Sequence, residues 1–377
     1  MMLIRSINRN LINAFGSRIN RKIIVIESDD WGSIRMPSKG IYDKLLKEGY
    51  NPDSDPYLKY DSLANEEDLI ALYEILSKFK DKNENPAIIT ANTIIANPNF
   101  YEIEKDDYKN YYYEPFTETL KKYSRHQNSF ELWKEGIDNR LFHPQFHGRE
   151  HLNVFNWLNE LRSGNQMLRK AFDLGMISIS SVSSKMRFGY MESLDYLSEY
   201  ERDLKNKILY DGLNVFKNVF GTTSTSFIAN CYIWDKNVEK FLSENNVKYI
   251  QGIPVQLKPD LSKGKHFHKR VLHYTGQKNK FGQTYLVRNA HFEPSLKHNI
   301  DTVGECLKRI NIAFKWKKPA IISSHRLNFI GNIDSKNRDK NLILFKQLLD
   351  AILKNWPDVE FMTSDRLGKL MTTRMND

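Results

Sequence analysis

The chain has 377 residues, 40% of them hydrophobic and 27% charged, with a net charge of +10. That balance fits a globular protein with a sizeable core and excludes a disordered chain. The two cysteines, Cys231 and Cys306, can form neither a disulfide framework nor a C-x-x-C zinc pair, and no stretch reaches the apolar length of a membrane span. The positive charge suits an acidic glycan, a phosphosugar or a membrane surface; with no nucleic-acid-binding signature present, no nucleic acid is expected.

Residues 1–21 form a basic, mildly amphipathic segment without the apolar core of a signal peptide. Leu3, Ile4, Ile7, Leu11, Ile12 and Phe15 fit one helical face, which packs on the domain or makes weak contact with a membrane surface. Residues 22–377 are read as a single domain. Buried parallel strands are predicted at Lys22–Ser28, Pro86–Asn92, Arg140–Phe146, Met176–Val182, Thr225–Tyr232, Val247–Gly252, Thr284–Phe292, Pro319–His325 and Val359–Thr363. Helical spacing falls between them at Asn65–Phe79, Leu152–Arg162, Glu192–Phe220, Asp235–Glu244, Asp301–Phe314 and Arg338–Asn355. Strands alternating with helices predict an α/β fold, a distorted (β/α) barrel, with inserted loops near 101–130 and 254–280. The cluster Lys263, Lys265, Lys269 and Arg270, with His266 and His268, reads as a solvated loop in the second insertion.

In such barrels chemistry gathers at the C-terminal ends of strands. The first run ends in Asp29-Asp30-Trp31-Gly32. Two adjacent carboxylates there repel each other, and a cation between them relieves the cost; a strand-ending turn with Asp caps is the alternative. Residues 141–151, LFHPQFHGREH, space His143, His147 and His151 by four, a pattern suited to zinc or another first-row metal. Two His and one Asp leave positions open for water and substrate. A neighbouring carboxylate can then take the proton of an attacking water, and a separate acid, for which His325 is a candidate, protonates the leaving group.

These motifs resemble the polysaccharide deacetylase (NodB-like, carbohydrate esterase family 4-related) superfamily. The resemblance runs from about residue 22 to about residue 370. It implies a barrel of the glycoside hydrolase/deacetylase type, with Asp29 as the base, Asp30, His147 and His151 as ligands of a divalent metal (zinc, with cobalt or nickel as alternatives), and His325 as the acid. His147 and His151 are preferred over His143 and His147 because a helix follows His151 directly. His143, Asn92, Trp31, Asn230, Tyr232, Arg288, Asn289 and Glu293 are then candidate substrate contacts. The sequence departs from the family where an Arg-Pro-Pro-Tyr motif is usual: Ala229-Asn230-Cys231-Tyr232 stands there. The arginine that orients the base must come from elsewhere, and Arg35, Arg187 and Arg288 are candidates.

The expected activity is metal-dependent removal of an N- or O-acyl group from a carbohydrate, with a cytoplasmic setting. The alternatives are a glycan-binding pseudoenzyme, a metal-dependent phosphoesterase, or a glycosidase on a similar barrel pairing Asp29 or Asp30 with Glu293.

Overall fold

In a computed structural model of the chain, residues 9–179, 189–264, 267–297 and 300–373 are described. One parallel sheet dominates. Its strands are β1 (Ile23–Trp31), β2 (Ile89–Ile94), β3 (Phe142–Gly148), β4 (Ser226–Ile228), β5 (Tyr249–Gly252), β6 (Thr284–Val287), β7 (Ala290–His291), β8 (Ala320–His325) and β9 (Glu360–Met362). Their order is β6-β5-β4-β3-β2-β1-β8-β7, with β9 joined to the start of β1. Every residue of β1 and β2 is buried, because helices cover the outer face while side chains fill the inside; this is why β1 opens on the unbroken apolar run Ile23–Ile26.

The two ends of this order, β6 and β7, belong to one run of chain. Arg288 N donates to Gly252 O on the β5 side (2.8 Å), and Asn289 N donates to Ile321 O on the β8 side (3.1 Å). The curled sheet therefore meets itself along a seam made by one kinked segment, giving the α/β barrel-like architecture expected from the sequence. Asn289 sits on that seam: its amide donates to Pro319 O and accepts from Ile321 N, both at 2.9 Å.

The covering helices include α1 (Glu66–Lys78), α2 (Ser129–Asp138), α3 (Val154–Arg162), α4 (Glu199–Phe220), α5 (Lys236–Glu244), α6 (Thr302–Lys315), α7 (Ser335–Asn355) and α8 (Ser364–Thr373). Local chemistry sets their limits. Asn65 and Asp68 form a capping box at the start of α1. Ser198 caps α4, which therefore begins seven residues later than the spacing from Glu192 suggests, and Gly221 at φ 70° ends it.

The expected strand at Met176–Val182 is not formed where it is described. Residues 176–179 are irregular and the rest of that run lies outside the described residues. Met176 and Ile177 are buried nonetheless, so the apolar residues described here report burial. The 101–130 stretch carries short helices and a strand, Tyr113–Pro115, paired with Ala96–Pro98. The 254–280 stretch holds an antiparallel hairpin, Val255–Pro259 with His268–Leu272; Lys265 and His266 lie outside the described residues.

Candidate metal centre and cleft

β1 ends irregularly. Its register against β2 shifts between Ser28 and Trp31, and Asp30 has φ 72°, a left-handed conformation uncommon for a residue with a Cβ. Along a regular strand, neighbours point to opposite faces. The break lets Asp29 and Asp30 both line one cavity of about 530 Å³. His147 at the end of β3 and His151 in the following turn reach the same space, as does His325 at the end of β8. Arg35, Tyr57, Tyr190, Met191, Cys231 and Tyr232 form further parts of the wall.

Asp30, His147 and His151 converge. Each histidine Nε2 lies 3.4 Å from Asp30 Oδ1. All three side chains are buried, and Asp30 Oδ1 has no hydrogen-bond partner. A buried carboxylate oxygen left unpaired is costly unless a cation completes it. Two ligands each about 2.0–2.1 Å from a tetrahedral zinc lie about 3.4 Å apart, so the spacing fits such an ion. His147 Nδ1 is 2.9 Å from Ile228 O, which holds the proton on Nδ1 and leaves the Nε2 lone pair facing inward. Burial lowers the His151 pKa to about 3, favouring the neutral, ligating imidazole. Burial opposes ionisation of Asp30, but the Arg35 guanidinium beside it favours the carboxylate, and its carboxyl lies well below the ordinary range.

Asp29 faces a different set of partners. Arg288 donates Nη1 to Oδ2 at 2.7 Å and Nη2 to Oδ1 at 2.6 Å, and Asn92 donates to Oδ1 at 2.7 Å. Burial raises its pKa, yet the Arg288 guanidinium overrides this and keeps it well below the usual carboxylate value. Arg288 Nε also donates to Glu27 Oε2 at 2.6 Å, and Glu27 accepts from Ser364 Oγ at 2.6 Å. Of the three candidate arginines, then, Arg288 meets Asp29. Arg35 lies 3.3 Å from Asp30 instead, and Arg187 lies outside the described residues.

His325 is the residue paired with Asp29 across β1 and β8. Its Nδ1 is 2.7 Å from Glu293 Oε1, and its Nε2 is 3.8 Å from Asp29 Oδ2. Burial lowers its pKa, but Glu293 and Asp29 raise it overall to about 9. Asn328 donates to the other Glu293 oxygen at 2.8 Å.

Of the eight expected substrate contacts, Tyr232 lines the cavity. Asn92, Arg288, Glu293 and Asn230 stand one layer behind and hold Asp29, His325 and the His147 backbone; Asn230 donates to His147 O at 3.1 Å. Three expectations are corrected. Trp31 packs edge-on against Trp133 and Phe142 in the core, turned away because of the same break that brings Asp30 inward. His143 lies four residues before His147, about 13 Å lower on the strand, where its Nε2 is 3.2 Å from Asp365. Asn289 serves the seam. Sequence reasoning missed Glu27, which reads as part of an apolar run, and Tyr57, whose ring meets that of His325 at 5.7 Å.

No family model and no curated protein matches the sequence. Among solved structures, the chain is similar to Puue allantoinase (8% identity, 95% of this chain and 92% of that one, TM-score 0.47). A Mycobacterium smegmatis protein assigned as a polysaccharide deacetylase gives 9% identity over 96% of both chains, with a TM-score of 0.45. The 4-alpha-glucanotransferase of Thermococcus litoralis gives 9% identity and a TM-score of 0.44; the match covers 92% of this chain but 40% of that protein.

Proposed function

We propose that this protein is a metal-dependent hydrolase that removes an acetyl or related acyl group, N- or O-linked, from a carbohydrate. The observation that carries the reading is the meeting of Asp30, His147 and His151 around an unpaired carboxylate oxygen, with Asp29 on one side and His325 on the other. Asp30, His147 and His151 would hold the ion, zinc first and cobalt or nickel as alternatives. A divalent metal bound there supplies Lewis acidity toward an acyl oxygen and acidifies water.

The chain's own residues divide the proton transfers. Asp29, ionised and clamped by Arg288, accepts the proton of the attacking water. His325, protonated near neutrality and fixed through Nδ1 by Glu293, presents Nε2 to the departing amine or alcohol and donates. Two environments thus push one acid and one base in opposite directions, the pattern that assigns such roles. Tyr57, Tyr190 and Tyr232 give the cleft the aromatic walls against which a sugar ring packs. A glycosidase reading is not favoured, because Glu293 is bonded to His325 and Asn328 and does not line the cavity. A cytoplasmic setting with a precursor sugar as substrate belongs to the same reading; the free thiols Cys231 and Cys306 are compatible with it. Among the described residues, no helix is long and apolar enough to cross a membrane.

The test is acetate release from N-acetyl and O-acetyl sugars by protein loaded with zinc, cobalt or nickel. Activity that vanishes on chelation and in His147→Ala supports the reading. A wild-type protein that takes up no metal would overturn it.

A further inference from the structure

The helical residues 9–14 and the chain just after the hairpin run together along the outside of the seam. Asn289 Nδ2 donates to Asn13 Oδ1 at 2.9 Å, and Ser17 N donates to Thr275 O at 3.0 Å. The rings of Phe15 and Tyr274 lie 6.4 Å apart. One side of this pair of segments therefore packs on protein. The other side carries Leu11, Phe15, Leu272 and Tyr274, exposed by 54%, 64%, 73% and 40%. Leu11 and Phe15 are one helical turn apart and share a face. Leu272 and Tyr274 flank the buried His273, so both point outward.

Exposed cations lie close in sequence to these four side chains. Arg270 is on the Leu272 face of its strand, Lys278 follows the Gln277 that accepts from Tyr274 N, and Arg18 follows the Ser17 bonded to Thr275. Neither residues 9–22 nor residues 267–280 include a single Asp or Glu. Exposed apolar side chains beside cations, on segments that carry no carboxylate of their own, mark an interaction face.

We propose that this face docks on an anionic lipid bilayer, with Leu11, Phe15, Leu272 and Tyr274 entering the interfacial region and Arg18, Arg270 and Lys278 meeting lipid phosphates. Charge complementarity selects this occupant. A two-fold pairing of two copies through the face would set the same cations against each other, since such an interface is self-complementary, whereas an anionic surface strengthens binding about five-fold for each basic residue. The inference stands independently of the hydrolase reading.

The test is co-sedimentation of the full chain with phosphatidylcholine vesicles, with and without phosphatidylglycerol. Binding is expected to vesicles that contain phosphatidylglycerol and to weaken as salt is raised. Phe15→Ser/Leu272→Ser should reduce the partition coefficient about tenfold or more. Arg18→Glu/Arg270→Glu/Lys278→Glu should reduce it about a hundredfold or more, with the thermal transition and metal content of the parent retained because these side chains are exposed. No sedimentation with phosphatidylglycerol vesicles at low salt, or undiminished binding by the charge-reversed variant, overturns the proposal. So does a dimer in sedimentation equilibrium that Phe15→Ser/Leu272→Ser dissociates, which would give the face to a second copy.

Discussion

Arg288 and Asp29 meet through two parallel hydrogen bonds of 2.7 and 2.6 Å, a fork-on-fork pairing between residues 259 positions apart in sequence. The same guanidinium also bonds Glu27, so one buried cation serves two buried carboxylates. Arg288→Ala should therefore destabilise the fold by about 3–5 kcal/mol, as expected when a buried pair loses one member. Arg288→Lys keeps the charge but loses the fork. We expect it to fold and to lose about tenfold to a hundredfold in kcat. Urea unfolding and acetate-release kinetics on the two variants would separate these effects; unchanged kinetics in Arg288→Lys would remove the orienting role.

Metal binding should depend on three side chains and be modulated by a fourth. Elemental analysis should find one equivalent in wild type and none in His147→Ala or His151→Ala. Asn230 donates to the His147 backbone carbonyl, and Asn230→Ala should weaken metal affinity by about tenfold to a hundredfold, the usual cost of losing support around a ligand. His143→Ala should leave metal content unaltered. A loss of metal in that variant would show that the choice of histidine pair is wrong.

The pH profile should carry the signature of His325. Burial alone lowers its pKa, but the Glu293 carboxylate outweighs this and raises it to about 9. A raised acid keeps its proton up to that value. Activity that needs the imidazolium should hold through neutrality and fall as pH rises through about 9. Glu293→Gln removes the support, so the descending limb should move down toward the ordinary histidine value of about 6.5. His325→Gln should cost about 10²–10⁴ in kcat. A limb that stays in place in Glu293→Gln would reassign it to another group.

Trp31 tests the division between cleft and core. Its indole donates to Ser28 Oγ at 2.9 Å and its ring packs against Trp133 and Phe142. Trp31→Ala should cost about 3–5 kcal/mol of stability. At a temperature where the variant is folded, KM for an acetylated sugar should be that of wild type. A selective rise in KM with no change in the melting transition would return Trp31 to the substrate.

The strands and the groups at their ends were legible because burial on both faces writes apolar runs, and a run that stops in polar residues marks the open end of the barrel. β1, β3 and β8 illustrate this with Asp29-Asp30, His147 and His325. Trp31, Asn289 and Glu27 were misread for one physical reason. Which way a side chain turns at a strand end depends on backbone breaks and on distant partners. Regular alternation sends Asp29 and Asp30 to opposite faces and gives no hint that Trp31 turns into the core; the left-handed Asp30 alters both. Glu27 gains meaning only from Arg288, 261 residues away. The described part of the run at Met176 shows the converse, since Met176 and Ile177 are buried although residues 176–179 form no strand.

The seam has a consequence for how the protein comes into being. The run Thr284–His291 bonds Gly252 on one side and Ile321 on the other, and through Arg288 it reaches back to Glu27 and Asp29. Contacts between such distant parts of a chain carry a large loop-closure cost and form late in folding. A nascent chain already emerged as far as β5 can pair its first strands, yet Asp29 and Glu27 then face each other as buried like charges with nothing between them. Chain synthesis must pass residue 288 before Asp29 and Glu27 find their counter-charge, so the order of translation withholds a balanced cleft until the barrel can close.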